Sequence, residues 1–219
     1  MIKILVVDDH DLVRAGIRHL LSEESGFEVV GEAASGETAL QQARELHPHV
    51  VLMDIHMPGM GGLEATRRIL AAAPRTRVIA VTVADQEPFP SRLLKAGAVG
   101  YLTKGASTEE MVRAIRTVHS GQRYICADIA QLLALASYGS HPHNPLDALS
   151  EREMQVLLMV AHCESVNDIA ERLHLSPKTV NTYRYRIFDK LSISSDVEMT
   201  VLAIRHGLID VANDAPAAD

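Results

Sequence analysis

A chain of 219 residues with 47% hydrophobic content has the material for one large or two small packed cores, which excludes a wholly disordered protein. A formal charge of -7 excludes a uniformly basic nucleic-acid binder and leaves room only for a local cationic face. Cys126 and Cys163 have no partners at metal-ligand spacing, no apolar run approaches the length of a membrane span, and no leader precedes the first strand, so a cytoplasmic protein without a membrane partner is expected.

From Ile2 onward, strand and helix patterns alternate with short connections. Ile2 to Val7 reads as a buried strand, Asp11 to Leu21 as an amphipathic helix with Asp11 as its cap, and Phe27 to Ala33 as a second strand. Ser35 to Leu46 is helical, Val50 to Met53 is a short buried strand, and Gly61-Gly62 opens a helix to about Ala73. Strands at Arg77 to Val81 and Gly100 to Thr103 and a helix from Thr108 to Ser120 complete five β/α pairs. The alternation predicts an α/β fold, a five-stranded doubly wound parallel sheet, followed by a small all-α domain. The expected division is residues 1–121 for the sheet domain, 122–147 for a linker with one short helix (Ala127 to Ser137), 148–209 for the helical domain and 210–219 for a frayed tail. Within the linker, Tyr138 to Pro145, "YGSHPHNP", reads as a flexible joint.

The strand ends carry the chemistry. The first strand stops on Asp8 and Asp9, the third on Asp54, the fourth on Thr82 and the fifth on Lys104. In an open parallel sheet, ligands bind outside the carboxyl ends of the strands, so these side chains are expected to meet in one cleft. Three carboxylates suit Mg2+, with the His56 backbone carbonyl as a further oxygen ligand. A carboxylate can attack a phosphoryl group, Lys104 can offset charge on the phosphoryl oxygens, and Thr82 can donate a hydrogen bond. The imidazoles of His47, His49 and His56 lack ligand spacing. By position alone, Tyr101 on a strand is better explained by packing than by function.

Through "VVDDH", "LMDIHMPGMGG", "VIAVT" and "GYLTKG", residues 1 to about 121 resemble the receiver domain of bacterial two-component response regulators, a flavodoxin-like fold. The resemblance implies Asp54 as phosphoacceptor, Asp8 and Asp9 as the acidic metal pocket, Thr82 as switch hydroxyl, Lys104 as phosphate-sensing lysine and Tyr101 as switch aromatic. Gly105 stands where many receivers have proline.

In the helical domain, positive charge concentrates between Ser176 and Leu191, where Lys178, Arg184, Arg186 and Lys190 face one acid, Asp189. Val180, Ile187 and Leu191 form its apolar face, and Lys178, Thr182 and Tyr185 line up opposite. Preceded by a short helix from Val166 to Leu173, this is the pattern of a helix-turn-helix whose second helix enters the major groove of double-stranded DNA. "LSEREMQVL", "DIAERLHLSPKTVNTYRYRIFDKLSI" and "VLAIRHGL" resemble the LuxR-type DNA-binding domain, and receiver plus reader is the NarL/FixJ class. "EPFPSRLLKAGAVGYLTKG" and "SPKTVNTYRYRIF" bring the chain nearest the GacA/UvrY branch.

The expected DNA-facing residues are Lys178, Thr179, Asn181, Thr182, Arg184, Tyr185, Arg186 and Lys190. Asn181 stands where many relatives have lysine and is expected to read adenine bidentately, with Lys178, Arg184 and Arg186 on phosphates. The function expected is a phosphorylation-switched transcription regulator. A sensor histidine kinase phosphorylates Asp54, the phosphorylated chain forms a DNA-binding homodimer, and small regulatory RNA genes are activated. It is expected to be no enzyme beyond phosphotransfer to, and slow hydrolysis from, its own aspartate. The alternative, a metal-dependent phosphohydrolase with an aspartyl-phosphate intermediate, lacks an aspartate two residues after Asp54, where His56 stands, and leaves the helical domain unexplained.

Overall fold

The computed structural model describes residues 1–55, 57, 59–82, 89–138, 145–206 and 208. These fall into two compact units, one built on a sheet and one wholly helical. In the first, strands β1 (Ile2–Val7), β2 (Phe27–Ala33), β3 (Val50–Met53), β4 (Arg77–Thr82), β5 (Gly100–Thr103) and β6 (Tyr124–Ile125) lie in the order β2-β1-β3-β4-β5-β6, every pairing parallel. The helices are α1 (Asp11–Ser22), α2 (Gly36–Leu46), α3 (Gly61–Ala72), α4 (Phe89–Ala96), α5 (Thr108–His119) and α6 (Ala127–Tyr138).

The sheet has six strands, one more than expected. Two residues are too few to show a period of two, and β6 forms because the Tyr124 amide donates to the Val99 carbonyl at 3.0 Å, extending the edge beside β5. One sheet face packs Ile4, Val6 and Leu52 against Ile17 and Leu21 of α1 and Ile115 and Val118 of α5. The other packs Leu5, Val7, Val51 and Met53 against Ala39 and Ala43 of α2 and Ala65 and Ile69 of α3. Central strands covered on both faces must be apolar throughout, which is why β3 reads as an unbroken run rather than an alternation.

Asp11 does not cap α1. His10 holds the cap position in extended conformation without a side-chain cap bond, and Asp11 lies in the first turn, where its carboxylate accepts from Arg14. An acid there still favours the positive end of the helix dipole.

The second unit begins with a 3-10 turn, Pro145–Ala148, and continues through α7 (Glu151–Ala161), α8 (Val166–Arg172), α9 (Pro177–Leu191) and α10 (Asp196–Arg205). All four α-helices open on serine caps, Ser150, Ser165, Ser176 and Ser195. Ser150 with Glu153 and Ser165 with Asp168 form full capping boxes, each satisfying two backbone donors that would otherwise be orphaned. The turn packs on α9, and Leu146 in it is fully buried. Apart from its end residues, the joint expected over Tyr138 to Pro145 lies outside the described residues, as does the tail from residue 209. Among the described residues, no helix is long and apolar enough to cross a membrane.

Candidate functional site

The strand ladder runs one residue beyond its strands, and this assembles the pocket. Asp8 N donates to the Ala33 carbonyl at 3.1 Å, Asp54 N to the Val7 carbonyl at 2.8 Å, and Lys104 N to the Thr82 carbonyl at 2.9 Å. Since Val7 pairs with Met53, Met53 with Ala80 and Thr82 with Thr103, these bonds set Asp8, Asp54, Thr82 and Lys104 side by side at the carboxyl edge. Asp8, Asp54 and Thr82 are buried, at 2%, 2% and 0% exposure.

Lys104 Nζ lies between the two buried acids, 2.7 Å from Asp8 Oδ2 and 2.9 Å from Asp54 Oδ2. Burial works against its ammonium, but the hydrogen bonds and charges of Asp8 and Asp54 outweigh it and hold the lysine above its ordinary pKa. The Asp54 carboxylate also accepts from the Ile55 amide at 2.7 Å, through Oδ1, and the Asp8 carboxylate from the His10 amide at 2.8 Å. Asp9 has no such partner: its Oδ1 is closed off from solvent and accepts no hydrogen bond among the described residues, though His10 Nδ1 approaches to 2.9 Å. Ligand atoms of Asp8, Asp9, His10 and Asp54 lie within 4.8 Å of one another. One ammonium among three carboxylates leaves a net negative pocket, and a buried acceptor without a donor is what a cation would satisfy. The donor set therefore fits a hard, oxygen-preferring divalent ion.

His10 belongs to this cluster and was not singled out among the histidines of the sequence. Its only signal is adjacency to Asp9. His56, expected to offer its carbonyl, lies outside the described residues. Tyr101, the expected switch aromatic, is fully enclosed, with its carbonyl accepting from the Cys126 amide at 3.2 Å.

In the helical unit, α9 buries Val180, Ile187 and Leu191 and exposes Lys178, Thr182, Tyr185 and Arg186, as its periodicity predicts. Thr182 Oγ1 donates back to the Lys178 carbonyl, and Thr179 is part of the helix cap with Ser176. Two of the expected DNA-facing cations are occupied elsewhere. Lys190 Nζ donates to the buried Glu153 Oε2 at 2.6 Å, tying the end of α9 to the start of α7. Arg184 forms a fork on the Asp196 carboxylate at the head of α10, with Nε to Oδ1 at 3.1 Å and the second bond from NH2 to Oδ2. It also donates from NH1 to Asn181 Oδ1 at 2.6 Å. Bidentate reading of adenine needs that carbonyl oxygen as an acceptor, and Arg184 already occupies one of its two lone pairs and sets a positive charge beside the other.

Residues 4–116 match the model for the response regulator receiver domain, and residues 147–203 that for bacterial regulatory proteins of the luxR family. The chain belongs to the LuxR-type response regulators. It is 60% identical over 214 residues to the response regulator GacA of Pseudomonas aeruginosa, covering 97% of this chain and 100% of that one. It is 54% identical over 209 residues to the response regulator UvrY of Escherichia coli K12, covering 95% and 96%. Among solved structures, the response regulator ChrA of a heme-sensing two-component system aligns with a TM-score of 0.53 and 31% identity over 95% of this chain and 98% of that one. This response regulator is thus a DNA-binding regulator with a receiver and a LuxR-type reader, and the phosphohydrolase alternative finds no support among its relatives.

Proposed function

We propose that Asp54 is the phosphoacceptor of this response regulator and that a sensor histidine kinase is the donor. The observation that carries the reading is the Lys104 ammonium bridging Asp8 and Asp54 at a strand edge. In the reaction, an Asp54 carboxylate oxygen forms a bond to phosphorus as the phosphorus–nitrogen bond of a kinase phosphohistidine breaks, and the imidazole leaves with the electron pair. Lys104, already charged, faces the new phosphoryl oxygens, and Thr82 supplies a hydroxyl donor beside them. Asp8, Asp9 and Asp54, with the His56 carbonyl, are the residues that would hold Mg2+, whose charge would offset that of the phosphoryl group. Tyr101, in β5 three residues before Lys104, is the proposed switch aromatic, and from its enclosed position it would pass a change at the pocket to the residues packed around it.

The output is an altered balance between states that bind DNA singly and as a homodimer. Val197, Val201 and Ile204 stand exposed at helical spacing on α10, at 72%, 43% and 40%, and this apolar stripe supports pairing of readers through α10. Lys178, Thr182, Tyr185 and Arg186 form the proposed DNA face, with phosphoacceptor activity in residues 1–121 and the reader in 148–209. A cytoplasmic location and activation of small regulatory RNA genes, implied by likeness to the GacA/UvrY branch, complete the proposal.

The test combines intact-mass measurement after treatment with acetyl phosphate and Mg2+ and genome-wide DNA occupancy, each for the native chain and Asp54→Asn. One phosphoryl group absent from Asp54→Asn, with occupancy reduced in that variant, is expected. Labelling that persists in Asp54→Asn overturns the assignment.

A further inference from the structure

Asn181 lies half-buried on the DNA-facing side of α9, one helical turn from Arg184. A guanidinium has five donors and no acceptor, so the atom 2.6 Å from Arg184 NH1 is the amide oxygen, and the orientation of this amide is chemically fixed. The same guanidinium is clamped by two bonds to Asp196. It cannot swing away to free the oxygen without giving up a bidentate carboxylate pair. The amide oxygen keeps one lone pair, but a guanidinium charge beside it opposes the approach of a second donor, so the NH2 group is what Asn181 best offers a ligand.

We infer that Asn181 reads DNA through its NH2 group as a hydrogen-bond donor and recognises the keto oxygen of a base pair in the major groove, the O6 of guanine or the O4 of thymine. The inference rests on the DNA-binding reading of α9. In the major groove, guanine offers N7 and O6 and thymine O4, all acceptors; cytosine offers only its amino group, and adenine sets an amino donor beside N7. A donating amide is therefore matched by the acceptors of guanine and thymine, whereas at adenine an amino donor stands beside N7 and at cytosine the amide meets an amino donor alone. Arg184 and Asp196 act as positioning residues: they touch no base in this scheme, and they select which end of the amide the DNA meets. Sequence preference on α9 is thereby set partly from the first residue of α10.

The experiment starts by enriching preferred duplexes from a randomised library with the full-length chain. It then finds the base pair whose preference disappears in Asn181→Ala. At that pair, base analogues delete either the major-groove keto oxygen or the major-groove amino group, and affinity is measured at fixed salt. Deleting the keto oxygen should weaken the native chain by roughly tenfold and leave Asn181→Ala unaffected, while deleting the amino group should change neither. In Asp196→Asn and in Arg184→Ala, whose melting is followed to verify folding, the released amide should become sensitive to the amino group as well. Coupling of native Asn181 to the amino group, or one common loss for every sequence and analogue in Asn181→Ala, would overturn the inference. So would unchanged atom preference in folded Asp196→Asn. A library from which nothing is enriched would overturn the DNA reading itself, and this inference with it.

Discussion

A Cβ placed on Gly62 would lie 1.9 Å from the carbonyl oxygen of Asp54. The first turn of α3 is pressed against the backbone of the proposed phosphoacceptor, and the Gly62 amide donates to the Ile55 carbonyl at 3.0 Å from that position. The clash would be with backbone, so no side-chain rotation relieves it. Gly62→Ala should lower stability by about 1–3 kcal/mol and reduce the yield of phosphorylated Asp54 far more than Gly16→Ala, a site with nothing within 4 Å. Thermal melting and intact-mass labelling of both variants check this.

Asp9 adds a third charge to the pocket without a hydrogen bond to its buried oxygen. Asp9→Asn should raise metal-free stability by about 1 kcal/mol, because removing one of three crowded carboxylate charges relieves more repulsion than the loss of the exposed His10 contact costs. The same change should weaken Mg2+ binding, measured by calorimetry. Lower metal-free stability would count against the crowding of charge described here.

Lys104→Met should act in the opposite sense. It leaves Asp8 and Asp54 facing each other without their shared counter-charge, at a cost of about 3 kcal/mol, toward the low end for buried pairs because Lys104 keeps some contact with solvent. Added Mg2+ should restore much of the loss. The lysine's pKa is raised, so its contribution is fully present below the ordinary lysine value and disappears as pH climbs through the raised one. The stability gap between native and Lys104→Met chains should accordingly close at strongly alkaline pH.

In the helical unit, Glu153 meets the opposite limb of the pH scale. Burial disfavours its charge, but the bonds from Lys190 and Ser150 outweigh that and hold its carboxyl below the usual glutamate range. Its contribution is complete above about pH 4.3 and is lost as pH falls through the lowered value. Glu153→Gln should flatten the acid limb of the melting curve of this unit, and Lys190→Met should destabilise it more than Glu153→Gln does, by stranding a buried carboxylate.

A charge at the centre of the α10 stripe should separate dimerisation from phosphorylation. Val201→Glu is expected to leave labelling of Asp54 intact and to abolish the gain in affinity of the phosphorylated chain for a two-half-site operator. Titration at fixed salt across protein concentrations checks it.

Much of the pocket was legible because parallel-sheet geometry turns strand ends into neighbours: four short apolar runs ending on Asp8, Asp54, Thr82 and Lys104 specify their own meeting. The helical caps at Ser150 and Ser176 are legible as local signals, Ser150 standing three residues before Glu153 and Ser176 directly before Pro177. What escaped depends on contacts distant in sequence or too short to show a period. Arg184 and Lys190 carry the charge of DNA-binding residues, and only the approach of Asp196 and Glu153 reveals that this charge is neutralised within the fold. Two residues cannot announce a strand, so β6 was invisible, and the side-chain cap assigned to Asp11 failed because the chain enters α1 one residue earlier, at His10.

The fully buried Leu146 sets where this protein can be cut. A reader fragment beginning at Asp147, or at 148 where the sequence pattern starts, would lack a side chain that fills the floor beneath α9. Emptying such a position commonly costs about 2–5 kcal/mol, a large part of what a domain of this size has. Weak DNA binding by so short a piece would report on damage by truncation and would say nothing about the DNA contacts of α9. Fragments meant to measure the reader's own affinity need to start ahead of Pro145, and a protease that nicks the chain before that point should leave behind a reader with its core complete.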